Sequence, residues 1–239
     1  ITEEALRQIQ DLNETERFTT VVYQEDWHKG VIGIVASRLT ETYYRPTIVF
    51  TKSGDKLAAS ARSVKDFDLY EALEACSEHL IQFGGHKYAA GMTLYEENYP
   101  AFKAAFEEVV KKTIDPNLLI PEIAVDAEIQ FSDITPKLMR LLKQFEPYGP
   151  GNMTPTFLAK NLYDTGYGKR IGSDETHLKL NLKQGTSETI SAVGFGLGDK
   201  VTLIENRQKI DAVFCLDENE FNGSVTLQLR LKDLRNHHD

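Results

Sequence analysis

Residues 56–91 read KLAASARSVKDFDLYEALEACSEHLIQFGGHKYAAG, and this stretch decides the fold of the first half of the chain. Residues 56–63 alternate strictly. Leu57, Ala59 and Ala61 fall on one side and Ala58, Ser60 and Arg62 on the other, as in a half-buried strand. Residues 68–83 place Leu69, Ala72, Leu73, Cys76, Leu80 and Phe83 on one helical stripe, with Gly84 at the C-cap position. Residues 88–95 again suit a strand. Strand, helix and strand at this spacing predict an α/β unit.

The neighbouring sequence extends the pattern. Upstream, residues 2–12 predict a helix, residues 18–23 a strand, and residues 30–43 a helix with Val31, Ile34, Val35 and Leu39 on its buried face. Pro46 ends that helix before a short apolar strand at 47–51. Downstream, residues 99–112 form a helix with Pro100 in its first turn and Phe102, Phe106, Val109 and Val110 buried. Residues 113–121 are linker-like, with Pro116 and Pro121. The texture then changes. A strand is expected at 122–130, a short helix at 136–145, a turn cluster at 147–152, and strands at 156–164, 176–183, 188–195, 209–217 and 224–234. Short strands separated by turns predict a small β-barrel or sandwich. The fold class is therefore mixed α+β and α/β: an α/β domain followed by a small β-barrel.

Charge narrows the functional classes. The formal net charge is −9, which excludes capture of nucleic acid by bulk charge and requires any anion site to be local. Only residues 27–92 are not acidic, with eight basic against seven acidic side chains. No apolar run is long enough to span a membrane, and Cys76 and Cys215 are too few for a disulfide framework, so a reducing cytoplasm is expected. No Asp/His cluster of the kind that holds catalytic metal ions is visible. Asp66 and Asp68 suit a helix start, and His237-His238-Asp239 a chain end without fixed structure.

Four groupings can carry chemistry. Ser60 and Arg62 share a strand face and can converge on one oxyanion such as phosphate, although an exposed edge strand gives the same pattern. Phe83-Gly84-Gly85-His86 can bring backbone amides close to a ligand, or can be a helix cap running into a tightly packed strand. Trp27-His28-Lys29-Gly30 precedes a helix N-terminus, where anions are favoured. Trp27 can stack on a base or sit in a core, and His28 can be functional or structural. In the second half, Lys169, Arg170, Lys179, Arg230 and Lys232 lie on polar strand faces that can track a single strand or be simply solvated.

Together these residues resemble a known family. Trp27-His28-x-Gly30-Val31-Ile32-Gly33, Tyr44-Arg45-Pro46-Thr47, Ser60-Ala61-Arg62-Ser63, Phe67-Asp68-Leu69 and Phe83-Gly84-Gly85-His86-x-x-Ala89-Ala90-Gly91 are similar to the DHHA1 domain of RecJ single-strand-specific exonucleases. Phe145-x-Pro147-x-Gly149-x-Gly151-Asn152-x-x-Pro155-x-Phe157, His177-Leu178-Lys179-Leu180 and Gln228-Leu229-x-Leu231-x-Asp233 resemble the OB-type domain that follows it in that family. The resemblance covers nearly the whole chain, in order.

The resemblance implies that residues 1–17 are the end of a connecting helix, 18–115 a DHHA1-type domain and 120–239 an OB-like domain. It implies 5′-to-3′ degradation of single-stranded DNA in repair and recombination. Mn²⁺ or Mg²⁺ would be bound in an N-terminal DHH domain that this chain lacks. The start at Ile1, inside a helix, is expected to mark that missing part. Ser60 and Arg62 would then bind the 5′-terminal phosphate, and Gly84, Gly85 and His86 would face the scissile phosphate. The OB-like unit would hold the strand, with Trp27, His28, Lys29, Lys179, Arg230 and Lys232 as further DNA contacts. No residue of this chain would be catalytic or hold metal. The alternatives are a DHH-type phosphodiesterase for oligonucleotides or cyclic dinucleotides, which leaves residues 120–239 unexplained, and a non-catalytic nucleic-acid-binding module.

Overall fold

In the computed structural model, which describes residues 1–221 and 223–238, the chain divides after Glu122. The first unit runs α1 (Thr2–Asp11), β1 (Thr20–Tyr23), α2 (Ile32–Tyr43), β2 (Thr47–Ser53), β3 (Lys56–Arg62), α3 (Leu69–Glu74), β4 (Gln82–His86), β5 (Ala89–Leu94) and α4 (Tyr99–Thr113). Its sheet has the order β1-β2-β3-β5-β4; β1 and β2 are parallel and the other pairs antiparallel.

Alternation gives the sheet two different faces. Ile48, Phe50, Leu57, Ala59, Ala61, Ala90, Met92 and Leu94 point into a core closed by Phe102, Phe106 and Val110 of α4 and Leu69, Ala72 and Leu73 of α3. On the opposite face, Val22 and Val49 lie under Ile32, Val35, Ala36 and Leu39 of α2, together with Ala5 and Ile9 of α1 and Trp27. The buried stripe of α2 differs from the expected one. Ile34 is 59% exposed, and Ile32 and Ala36 take the inward positions.

The helix expected over 68–83 is far shorter. Asp68 caps α3 by accepting from the amides of Tyr70 and Glu71. Regular α-helix ends at Glu74, a 3₁₀ turn follows at Ser77–His79, and Gln82–His86 is a strand. Gly84 is thus a strand residue, not a helix cap. Apolar spacing alone cannot separate the two states here. Pairing with β5 settles it, with Gly84 opposite Gly91 and His86 opposite Ala89.

Two polar devices hold the other edge. Gln8 of α1 donates to the carbonyl of Tyr23 at 3.0 Å and accepts from its amide at 3.3 Å, standing where a further strand would pair with β1. Arg45 is 3% exposed. It donates to the carbonyls of Glu14, Thr15 and Arg17 and to Thr20 Oγ1, all at 2.6–2.8 Å, and so ties the segment after α1 to the start of β1.

The second unit contains β6 (Ala127–Glu128), α5 (Pro136–Lys143), β7 (Phe157–Asp164), β8 (Lys169–Ile171), β9 (His177–Gln184), β10 (Ile190–Gly194), β11 (Ile210–Phe221) and β12 (Ser224–Asn236). The expected strand at 122–130 is reduced to the two residues of β6. Strands β7-β11-β12-β10-β9 form a ring closed by pairing of β7 with β9. Within it, β10 and β12 are parallel and the other pairs antiparallel. This is the five-stranded OB barrel. Leu178, Leu180, Leu182, Leu229, Leu231 and Phe214 fill its interior. The end of the chain is not free as expected: His237 donates its backbone amide to Lys209 and pairs through Nδ1 with buried Asp211 at 2.6 Å, while Asp239 lies outside the described residues.

Two measurements follow from this packing. Arg45→Met removes its buried hydrogen bonds to the Glu14 carbonyl and Thr20 Oγ1 and its part-buried ones to the Thr15 and Arg17 carbonyls, and should cost the first unit roughly 3 kcal/mol. Urea unfolding followed by Trp27, the single tryptophan, reports that unit alone, and an unchanged midpoint would refute the role given to Arg45. Burial pushes the Cys76 thiol up to about 11. At pH 8 only about one in a thousand molecules carries the thiolate, so alkylation of native Cys76 should be negligible and appear on unfolding.

Candidate nucleic-acid interface

Register assembles a site on the sheet face opposite the main core. Ser60 pairs with Gly91, which pairs with Gly84; Arg62 pairs with Ala89, which pairs with His86. Directly opposed residues point to the same side. Ser60, Arg62, Gly84 and His86 therefore share one face. Helix α2 covers β2 and β3 on this face, and the part made by β5 and β4 is open, with Gly84 and Gly91 exposed.

Arg62 and Ser60 are preorganised on one another. Arg62 Nη1 donates to Ser60 Oγ at 3.1 Å and to the Ala61 carbonyl at 2.8 Å, and both side chains are half-buried. The start of α2 lies directly above them. A Cβ at Gly33 would stand 3.2 Å from both Arg62 Nη2 and Ser60 Oγ. The first amides of a helix lack intrahelical acceptors and carry its positive end. A guanidinium, a hydroxyl and a helix N-terminus thus meet at one point, a donor set suited to a phosphate oxyanion. In the sequence Gly33 stands only within a motif; its contact with Arg62 and Ser60 depends on how α2 crosses β3.

Beside this point the sheet forms a shallow cavity of about 420 Å³ lined by Lys29, Ala58, Gln82, Gly84, Gly91 and Thr93. Its floor is glycine backbone. A Cβ at Gly84 would meet nothing within 4 Å, so open space lies above it. Gly85 faces the other way. Its φ is +153°, and a Cβ would come 2.3 Å from the Ala89 carbonyl oxygen, so this position admits no side chain. His86 is exposed, with Nδ1 accepting from the Tyr88 amide at 3.3 Å. Lys29 and His28 are also exposed, and His28 Nδ1 accepts from the Gly30 amide.

Trp27 does not join them. It is 4% exposed, packs in the core under α1 and α2, and donates its indole N–H to Glu4 at 2.9 Å. Burial of the ring removes the base-stacking role considered for it.

In the second unit, Lys179 and Arg230 are exposed on the outer barrel surface. The register sets Lys169, Lys179, Val193 and Arg230 in one row across β8, β9, β10 and β12. Arg230 Nε lies 3.9 Å from Asp217, and Lys232 donates to Thr156 Oγ1 at 2.7 Å. Arg170 turns aside to donate to the Gly198 carbonyl. Among the described residues, no group of three or more His, Cys, Asp or Glu side chains could hold a metal ion, and no helix is long and apolar enough to cross a membrane.

Comparison with known proteins agrees with both units. The family model of the DHHA1 domain matches residues 16–112, and that of the RecJ OB domain matches residues 125–233. The single-stranded-DNA-specific exonuclease RecJ of Bacillus subtilis is 35% identical over 239 residues, covering 98% of this chain and 30% of the relative. That of Escherichia coli is 30% identical over 219 residues, covering 89% of this chain and 37% of the relative. The crystal structure of RecJ in complex with Mn²⁺ from Thermus thermophilus superposes with a TM-score of 0.81 at 30% identity, over 100% of this chain and 34% of that one. The same protein with Mg²⁺ gives a TM-score of 0.80. The chain thus spans about a third of the length of the curated relatives it matches.

The two adjacent glycines should respond differently to substitution. Gly85→Ala forces a Cβ into the β5 backbone and should destabilise the first unit by about 1–3 kcal/mol. Gly84→Ala projects into open space and should leave stability unchanged or slightly raised. Equal losses in Trp27-monitored unfolding would contradict the assigned faces.

Proposed function

Because the chain belongs to the RecJ family and corresponds to its C-terminal part, without the DHH catalytic domain, we propose that it is the substrate-holding portion of a metal-dependent 5′-to-3′ single-stranded-DNA exonuclease. Ser60, Arg62 and the start of α2 receive the 5′-terminal phosphate. The open shelf with Gly84 and His86 faces the phosphodiester to be cut, and Gly85 keeps that strand close to β5. The observation that carries this reading is the convergence of Arg62, Ser60 and Gly33 at one point beside a glycine floor.

Each group has a defined physical task. Arg62 supplies a charge-assisted fork, Ser60 a hydroxyl donor, and α2 its first amides. A terminal phosphate carries more charge than an internal diester, so this donor set selects a strand end and gives the reaction its polarity. The glycine floor lets the strand approach the backbone without reading its bases. The OB barrel holds the rest of the strand, with Lys179 and Arg230 on its outer face and Lys232 nearby. The relatives crystallised with Mn²⁺ or Mg²⁺ support a divalent ion for the reaction, held by the DHH domain. The expected setting is DNA repair and recombination in the cytoplasm, with the DHH domain and single-stranded DNA as partners. A phosphodiesterase acting on cyclic dinucleotides leaves the OB barrel without a task and is disfavoured on that ground.

Binding of two otherwise identical oligonucleotides tests the assignment. The 239-residue chain should prefer a 5′-phosphorylated strand over its 5′-hydroxyl counterpart, and Arg62→Ala should reduce that preference about tenfold or more. A wild-type chain indifferent to the phosphate would overturn the site. With Mn²⁺ or Mg²⁺ added, the same chain should leave both strands intact, and any hydrolysis would refute the division of labour.

A further inference from the structure

Trp27 opens the turn that leads into α2, and the site described above gives it no task. That turn has to be fixed. Helix α2 begins at Ile32 with Val31 as its cap residue, and no side chain accepts from its first amides. An uncapped first turn frays unless the segment entering it is anchored. Fraying would separate Gly33 from Arg62 and Ser60, which a Cβ at that glycine would approach to 3.2 Å.

Anchors converge on Trp27. Its indole N–H donates to Glu4 of α1 at 2.9 Å, and its ring shares a core with Ala5 and Ile9 of α1 and Ile32 and Val35 of α2. Thr51 of β2, fully buried, donates its hydroxyl to the Trp27 carbonyl, with the Glu25 carbonyl 3.3 Å from the same oxygen. The turn then closes on itself. The Gly30 amide donates to His28 Nδ1 at 3.1 Å, and the Val31 amide to the His28 carbonyl at 3.0 Å. Thr51 lies opposite Ala58, on the sheet face that carries Ser60, and Ala58 and Lys29 both border the shelf. The side chain and carbonyl of one residue thus fix the start of a segment that ends at the phosphate site.

We infer that Glu4, Trp27 and Thr51 are positioning residues of the phosphate site. They touch no substrate; they fix the turn that carries Lys29 and the first amides of α2 to Arg62 and Ser60. This assignment rests on the 5′-phosphate role proposed above and extends it to three residues outside the site. The coupling runs both ways. A phosphate that caps α2 tightens the turn, and its arrival is felt at the Trp27 indole without contact between them.

Two readouts on the 239-residue chain separate positioning from mere structural support. The first is the ratio of affinities for 5′-phosphorylated and 5′-hydroxyl oligothymidine, measured by fluorescence anisotropy. Glu4→Ala and Thr51→Val should each lower that ratio about threefold or more. Glu4→Gln keeps an acceptor and Thr51→Ser keeps the hydroxyl, so both should restore it. A purely structural loss would weaken both strands alike and leave the ratio unchanged. Glu4 is largely exposed, so Glu4→Ala should fold and decides the matter even if Thr51→Val does not. The second readout is emission from Trp27, the single tryptophan. At saturation the 5′-phosphorylated strand should change it and the 5′-hydroxyl strand should not, and Glu4→Ala should shrink the change. If the variants keep the wild-type ratio, or the emission response ignores the phosphate, the positioning role is wrong while the phosphate site stands. If the wild type shows no preference for the phosphorylated strand, both fall.

Discussion

The first unit depends on the two-residue period of its central strands. Leu57, Ala59 and Ala61 are consumed by the core under α4, and this commits Ser60 and Arg62 to the opposite face. A shift of one residue would bury a guanidinium and expose the core, so the register is strongly specified. The same rule passes through β5 to β4 and carries Gly84 and His86 to the face of Arg62. Arg62 and His86, far apart in sequence, are brought to one surface by hydrogen-bonded registers rather than by contacts of their own.

Where that rule operates locally, the sequence reveals it. The shared face of Ser60 and Arg62, the helix over Tyr99–Thr113 and the leucine ladder of β9 are all visible from spacing. Legibility ends where long-range pairing competes with local preference. Residues 68–83 satisfy a helical stripe, yet Gln82–His86 gains more by pairing with β5. Gly33 gives no local sign of touching Arg62, because that contact arises from the crossing of α2 over β3. Trp27 shows the opposite failure: a residue type associated with stacking is buried beneath two helices.

The acidic total of −9 is compatible with a site for an anionic polymer because attraction is delivered in small, fixed places. Arg62 is held by its own strand, and Lys169 and Lys179 stand side by side in a ladder. Donors fixed before the ligand arrives lose little freedom on binding. Repulsion from the remaining surface discourages indiscriminate adhesion to duplex or RNA, which a uniformly basic protein would invite.

The two ends of the first sheet also bear on how the protein behaves in concentrated solution. An open strand edge is a template for another chain, and sheets with bare edges tend to grow into one another. At β1 the Gln8 amide occupies the amide and carbonyl of Tyr23 that a foreign strand would need. At β4 the edge holds two glycines and ends in His86 and Lys87, a poor lattice for further growth. Of these glycines Gly84 leaves the shelf open and Gly85 lets β4 lie close on β5, so the residues that shape this surface also keep the sheet finite.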